Sequence, residues 1–281
     1  MISRIARITF RSVQDVYGGA GAIEQAFDRT LDVSLHPRGL DMLMNLVANL
    51  ALPSGAEVLD LGCWDGKYSV ELARRFGFRV LGIDPVNRHI SDGTRMLAEL
   101  NSTEPDVAAR VRLEVGATGG LPSVSGSLDL IWCRDVLVHV SDLKAAFAEC
   151  SRALRPGGYM VIYQMFATDW LDQREADRLW PPVGIFASST DRRAFEAAIA
   201  EAGFDIVDCQ ELTSEWRENL EENSKASTAR QLLHAARLLR APEHYIAEHG
   251  EVAYGVMLSN CLWGVYQMIG KLSPRSYVLR R

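Results

Sequence analysis

Long apolar runs are scarce in this 281-residue chain. The longest, Tyr254 to Gly270, is broken by Ser259, Asn260 and Gln267, whereas a membrane span needs about twenty mostly apolar residues. It reads as a buried or lid helix, and no membrane span is expected. The opening M-I-S-R-I-A-R-I-T-F is too interrupted by arginine for the apolar region of a signal peptide. Paired cysteines are lacking too. Cys63, Cys133, Cys150, Cys209 and Cys261 form no C-x-x-C, and an odd, scattered set reads as reduced thiols in a cytoplasmic protein. H-x-x-H, H-E-x-x-H and acidic triplets are absent, so no metal site is expected. Without G-x-S-x-G, acyl hydrolysis has no nucleophile signal. There is no excess of positive charge: 30 Lys and Arg against 36 Asp and Glu give a net charge of -6 and a pI near 5.6. That argues against nucleic acid as the main partner, because phosphate binding usually leaves a basic surface. Internal repeats and low-complexity tracts are also missing.

What the chain does have is apolar material for a core, 48% of its residues. Residues 1–50 read as helical, with Leu40, Leu43, Met44, Val47 and Leu50 at helical spacing. From residue 56 short strands alternate with helices: E-V-L-D-L, then a helix over Lys67–Arg75; F-R-V-L-G-I-D, then a helix near His89–Leu100; V-R-L-E-V; L-D-L-I-W-C, then a helix over Asp142–Leu154; and Y-M-V-I-Y-Q. Such alternation predicts right-handed crossovers and a mostly parallel sheet. Residues 166–190 read as a helical insert. Residues 191–212 resume the core, with a helix, Gly203 at its C-terminal cap and the strand F-D-I-V-D. Residues 213–272 read as a helical lid and 273–281 as the last core strand, its basic flanks placing it at the surface. In this division 51–165 is the cofactor-binding core and 1–50 the N-terminal part of the lid.

The first strand runs into D-L-G-C-W-D-G, and ligands of open α/β sheets bind beyond the carboxyl ends of the strands. Gly62 permits a sharp turn and Gly66 lets a helix begin close to a ligand. The spacing is G-x-x-x-G, not the G-x-G-x-x-G of dinucleotide sites, and Trp64 obstructs the approach of a pyrophosphate. No G-x-x-x-x-G-K-[ST] exists either. A nucleoside without phosphates fits better. Asp60 can accept from loop amides, and Asp84, ending G-I-D-P, can accept both ribose hydroxyls.

D-L-G-C-W-D-G, G-I-D-P, G-S-L-D-L-I-W-C, V-L-V-H-V-S-D and R-A-L-R-P-G-G-Y occur in the order seen in class I S-adenosylmethionine-dependent methyltransferases. Over residues 55–165 the chain resembles their UbiE-like (type 11) small-molecule group. The resemblance implies an α/β, Rossmann-like sheet of seven strands with the last antiparallel, carrying helical lid insertions. It implies S-adenosyl-L-methionine as cofactor and S-adenosyl-L-homocysteine as product. The implied cofactor residues are Asp60, Gly62, Cys63, Trp64, Gly66, Asp84, Pro85, Ala117, Thr118, Cys133 and Arg134. The family's middle glycine is Trp64 here. Ala117 stands where an acid often holds the adenine, so backbone amides, Thr118 and packing by Pro85 or Val86 are expected to replace it.

Methyl transfer needs a positioned nucleophile and, for a hydroxyl, a base. His139 in V-L-V-H-V is the base candidate, or else a residue packed against the loop; Asp135 shares that loop with Arg134. Tyr17, Trp170, Trp180, Trp216, His234 and Trp263 are candidates for an aromatic enclosure of the acceptor. The expected reaction is methylation of a small, partly apolar metabolite of the natural-product kind, oxygen favoured over nitrogen or carbon. Two alternatives stand: a tRNA wobble-uridine-type enzyme, suggested by G-C-W-D-G, and a non-catalytic nucleoside-binding member of the fold. A homodimer is left open.

Overall fold

The computed structural model describes residues 27, 30–223 and 227–281. Residues 1–37 and 38–281 are separate units, and the sheet with its covering helices belongs to the second.

The sheet is built from β1 (Glu57–Leu61), β2 (Arg79–Asp84), β3 (Val111–Val115), β4 (Leu128–Arg134), β5 (Leu154–Ala167), β6 (Asp205–Glu211) and β7 (Leu272–Arg280). Their order is β3-β2-β1-β4-β5-β7-β6. β1 to β5 pair in parallel, and β7 runs antiparallel to both β5 and β6. Seven strands with an antiparallel last one is the expected architecture. The place of that last strand differs from the expectation. β7 lies between two neighbours and is almost wholly buried, so it is an interior strand and not a surface one. Only its end, at Arg280 and Arg281, is exposed.

Side chains alternate across the strands with period two. Leu59, Leu61, Ile131, Cys133, Ile162, Tyr277 and Leu279 face one side. There they meet Phe147 of α4 (Leu143–Ala153) and Phe195 of α6 (Arg192–Glu201). Val58, Leu130, Trp132, Val161, Tyr163 and Val278 face the other. That side is covered by α1 (Leu40–Asn49), α2 (Lys67–Phe76) and α3 (Asn87–Leu100). The apolar stripe of α1 is real, since Leu43, Met44 and Val47 are buried. It packs on the sheet, so α1 is a core helix and not part of the lid.

The lid has its own core. α5 (Gln173–Leu179) begins on a capping box formed by Asp172 and Glu175. α7 (Glu215–Asn223), α8 (Ser227–Arg240), α9 (Pro242–His249) and α10 (Glu251–Met268) follow β6. Leu179, Trp180 and Ile185 pack with Ala235, Leu238, Leu258, Leu262 and Tyr266 above Val138 and Met165. No helix among the described residues is long and apolar enough to cross a membrane.

Candidate active site

Strand order reverses between β1 and β4, where crossovers leave on opposite sides and a crevice opens. A cavity of about 730 Å³ occupies that crevice, within the range of small-molecule sites. It is lined by the β1–α2 loop, the ends of β2 and β4, the turn that carries His139, and lid residues Val183, Ile185, Ser259, Asn260 and Trp263.

The β1–α2 loop is held by its backbone. The Gly62 and Cys63 N–H groups donate to the Ile83 carbonyl at 2.8 and 2.9 Å. Gly62 has φ +73°, and a Cβ there would lie 2.2 Å from Val136 Cγ2. Only glycine lets this turn press against the end of β4. Trp64 is also left-handed, at φ +53°. Its indole turns outward, 63% exposed, and stacks on His89 with ring centres 4.1 Å apart and planes 15° apart. The bulky residue at the loop's centre is thereby carried out of the crevice floor.

Asp84 organises the β2 end. Its Oδ1 accepts from the Val86 N–H at 2.9 Å and lies 3.0 Å from His89 Nδ1. Its Oδ2 accepts from the Trp64 N–H at 3.2 Å. Asp60 is buried below and accepts from Ser69 Oγ at 2.6 Å. Desolvation pushes the Asp60 carboxyl up to about 6, against the lowering effects of Ser69 and Arg134. Burial likewise raises the Cys63 and Cys133 thiols, so neither supplies a thiolate near neutral pH.

At the end of β4, Asp135 adopts φ +60° and its N–H donates to the Tyr163 carbonyl at 2.7 Å. Desolvation raises its carboxyl, opposed by Arg134, His139 and Arg217. Three buried polar atoms here have no hydrogen-bond partner among the described residues: Trp132 Nε1, Arg134 Nε and Asp135 Oδ1. Buried polar groups are almost always satisfied, so three orphans around one cavity mark a place for a polar ligand. Arg134 also lies over the Tyr68 ring, 4.5 Å from its centre.

His139 stands on a single 3₁₀ turn, Leu137–His139. Its Nδ1 lies 3.0 Å from the Gly184 carbonyl. A carbonyl only accepts, so Nδ1 carries a proton, and in the neutral ring Nε2 keeps the lone pair. The insert grips the same turn through the Phe186 N–H on the Val138 carbonyl at 3.0 Å.

Of the sequence candidates, Asp60, Gly62, Cys63, Trp64, Asp84, Pro85, Arg134, Asp135 and His139 line this cavity. Gly66 starts α2 behind it at φ +79°. Cys133 points into the opposite core face. Ala117 and Thr118 follow β3 outside the cavity wall, whereas Pro85 and Val86 belong to it. The aromatic enclosure is mostly elsewhere. Trp180 is buried in the lid core, edge-on to Trp263, because α5 turns it inward. Trp216 leans on Tyr163 at 4.6 Å, Trp170 is exposed, and His234 lines a different cavity. Trp263 is the lid tryptophan at the site. Tyr17 lies outside the described residues. His89, Tyr68, Trp132 and Asn260 line the cavity without having been singled out in the sequence. His89 could have been found from its place in the first helical turn after Asp84.

A family model described as a methyltransferase domain matches residues 37–208. The chain is 28% identical over 185 residues to methyltransferase GfsG of Streptomyces halstedii, across 64% of this chain and 63% of that protein. It therefore spans less than two thirds of that relative. Among solved structures, the [4+2]-cyclase SpnF superposes with TM-score 0.65 at 21% identity, over 86% of this chain and 81% of that one. A geranyl diphosphate methyltransferase in complex with S-adenosylmethionine superposes with TM-score 0.63 at 20% identity, over 86% and 84%. At these identities the superpositions establish the fold.

Proposed function

Because the chain belongs to the methyltransferase-domain family, we propose that it methylates a small, partly apolar acceptor, using S-adenosyl-L-methionine and favouring oxygen. The cavity fits that cofactor in its donor set. Asp84 stands at the tip of β2, and beyond its contacts with Val86, His89 and Trp64 its Oδ2 keeps one lone pair for a ribose hydroxyl. Gly62 lets the loop close on Val136, where a Cβ would clash. Trp132 Nε1–H and Arg134 Nε–H offer unused donors to an anionic group, and Asp135 Oδ1 an unused acceptor. When bound, the cofactor supplies an electrophilic methyl group and its own leaving group.

The observation that carries the oxygen preference is the His139–Gly184 hydrogen bond. It fixes the tautomer in which Nε2 can take a proton from an acceptor hydroxyl. Asp135 adds negative charge on the same loop and stabilises the imidazolium that results. Val183, Ile185 and Trp263 make the acceptor side of the cavity largely apolar and exclude water. A base of this kind is worth about 10²- to 10⁴-fold. His139→Ala is expected to lower kcat within that range and leave cofactor affinity unchanged. An unchanged kcat would reduce the reaction to positioning alone and remove the reason for preferring oxygen.

One of the superposed proteins is a cyclase, so cofactor binding and methyl transfer need separate measurements. Calorimetry with S-adenosylmethionine tests the first and a methyl-transfer assay the second. A shift on tRNA at low salt would favour the RNA-modifying alternative, against which the net charge of -6 weighs.

A further inference from the structure

We infer that the lid holds a second chamber for the far end of the acceptor, which makes the acceptor an elongated, uncharged, mainly apolar molecule. This rests on the methyltransferase reading and specifies its substrate class. A cavity of about 890 Å³ lies among α8, α9 and α10, with Leu238, Tyr245, Val256 and Met257 in its wall beside His234, Arg237, Glu248 and His249. It borders the first cavity at Asn260, which lines both.

The spacing along α10 sets the two spaces side by side along one face of the helix. Ala253, Val256, Met257, Asn260 and Trp263 recur three or four residues apart, so they form one face of the helix. Ala253 to Asn260 line the chamber, and Asn260 and Trp263 line the first cavity. At 1.5 Å per residue this stripe is about 15 Å long. An apolar strip that starts beside the reacting groups and continues into a chamber suits a long ligand better than a compact one. The wall is also exposed where a closed core would bury it: Met257 is 45% exposed. Its ionisable lining residues, Arg237, Glu248, His234 and His249, include both signs, which disfavours a strongly charged ligand body. Polar discrimination falls to Asn260 at the junction, whose side chain has no hydrogen bond among the described residues.

The test uses the full chain, saturated with S-adenosylhomocysteine, and a series of 4-alkylphenols from ethyl to nonyl. Each methylene that enters an apolar chamber is expected to tighten binding by about threefold to fourfold. Ala253→Trp, at an exposed position on the stripe, is expected to flatten that dependence beyond the short members. Met257→Trp is expected to do the same, so a folding defect in one variant does not decide the matter. Affinity for S-adenosylhomocysteine should stay unchanged in both. A chain-length dependence identical in the unaltered protein and both variants overturns the proposal. So does failure of every alkylphenol to bind. If Ala253→Trp instead converts a dimer to a monomer and leaves the dependence intact, the face is an interface between copies and the proposal falls. Failure of the unaltered chain to take up S-adenosylhomocysteine removes the cofactor reading separately, while the chain-length dependence still decides on the chamber.

Discussion

Asp60 stands 2% exposed in a cavity that also holds the Asp84 and Asp135 carboxylates. Its carboxyl is pushed up to about 6, chiefly by desolvation, from an ordinary value near 4. The fold therefore prefers its neutral form. A carboxyl raised in this way contributes stability that is complete below about pH 4 and is lost as pH rises through about 6. A gap of two pH units corresponds to about 3 kcal/mol at neutral pH. Asp60→Asn keeps the shape and a partner for Ser69 Oγ, and it cannot ionise. The variant should match the parent near pH 4 and melt several degrees higher at pH 7.5, at about 2–4 °C per kcal/mol. Thermal unfolding followed at both pH values checks this; equal melting temperatures at pH 7.5 would show that Asp60 is ionised without cost. The same cost explains why a cation suits this cavity, because a bound positive charge stabilises the ionised form.

The β1–α2 loop is where a local sequence pattern becomes a site. Two effects at Trp64 nearly cancel: a left-handed φ costs a non-glycine residue about 1 kcal/mol, and an aromatic stack returns about 0.5–1.5 kcal/mol. Gly62 has no such compensation. Gly62→Ala combines φ +73° with a Cβ 2.2 Å from Val136 Cγ2, and it should destabilise the protein by about 2 kcal/mol. Adding Val136→Ala removes the clash but not the backbone cost, so it should restore roughly half of the loss. Urea unfolding of the single and double variants measures the coupling, and simple additivity would mean that the loop does not press on β4. The glycine and the strand-end acids were legible because turns and buried parallel strands leave short-range marks. The apolar runs gave β1 to β4 to within a residue. β5 begins earlier, at Leu154, which pairs with Leu128 ahead of a register shift that takes up R-P-G-G. The interior place of β7 was not legible, because strand order depends on long-range pairing. Nor was the choice of tryptophan: whether Trp180 or Trp263 faces the ligand depends on helix rotation, which composition does not record.

Across the whole molecule, α7 is coupled electrostatically to the end of β4. Arg217 of α7 donates to Gln267 Oε1 of α10 at 2.9 Å. Gln267 Nε2 in turn lies 3.3 Å from the Tyr163 hydroxyl of β5. Burial pushes Tyr163 well above its ordinary range, so it stays a neutral hydroxyl. The Arg217 guanidinium is itself lowered by desolvation, with Tyr163 and Asp135 among the groups that oppose this. Asp135 in turn is held down partly by Arg217. Removing one member of a buried charge network leaves the others less compensated, so Arg217→Met should lower the melting temperature. It also removes one of the charges that favour the ionised form of Asp135. The Asp135 carboxyl then rises further, and any step that needs it charged moves to higher pH. The acid limb of the rate–pH profile should shift alkaline, the direction expected when a nearby positive charge is removed. Arg217→Lys, which keeps the charge, should leave the limb in place. An unshifted limb in Arg217→Met, with turnover intact, would mean that the lid excludes water and binds the acceptor without tuning the charge at the end of β4.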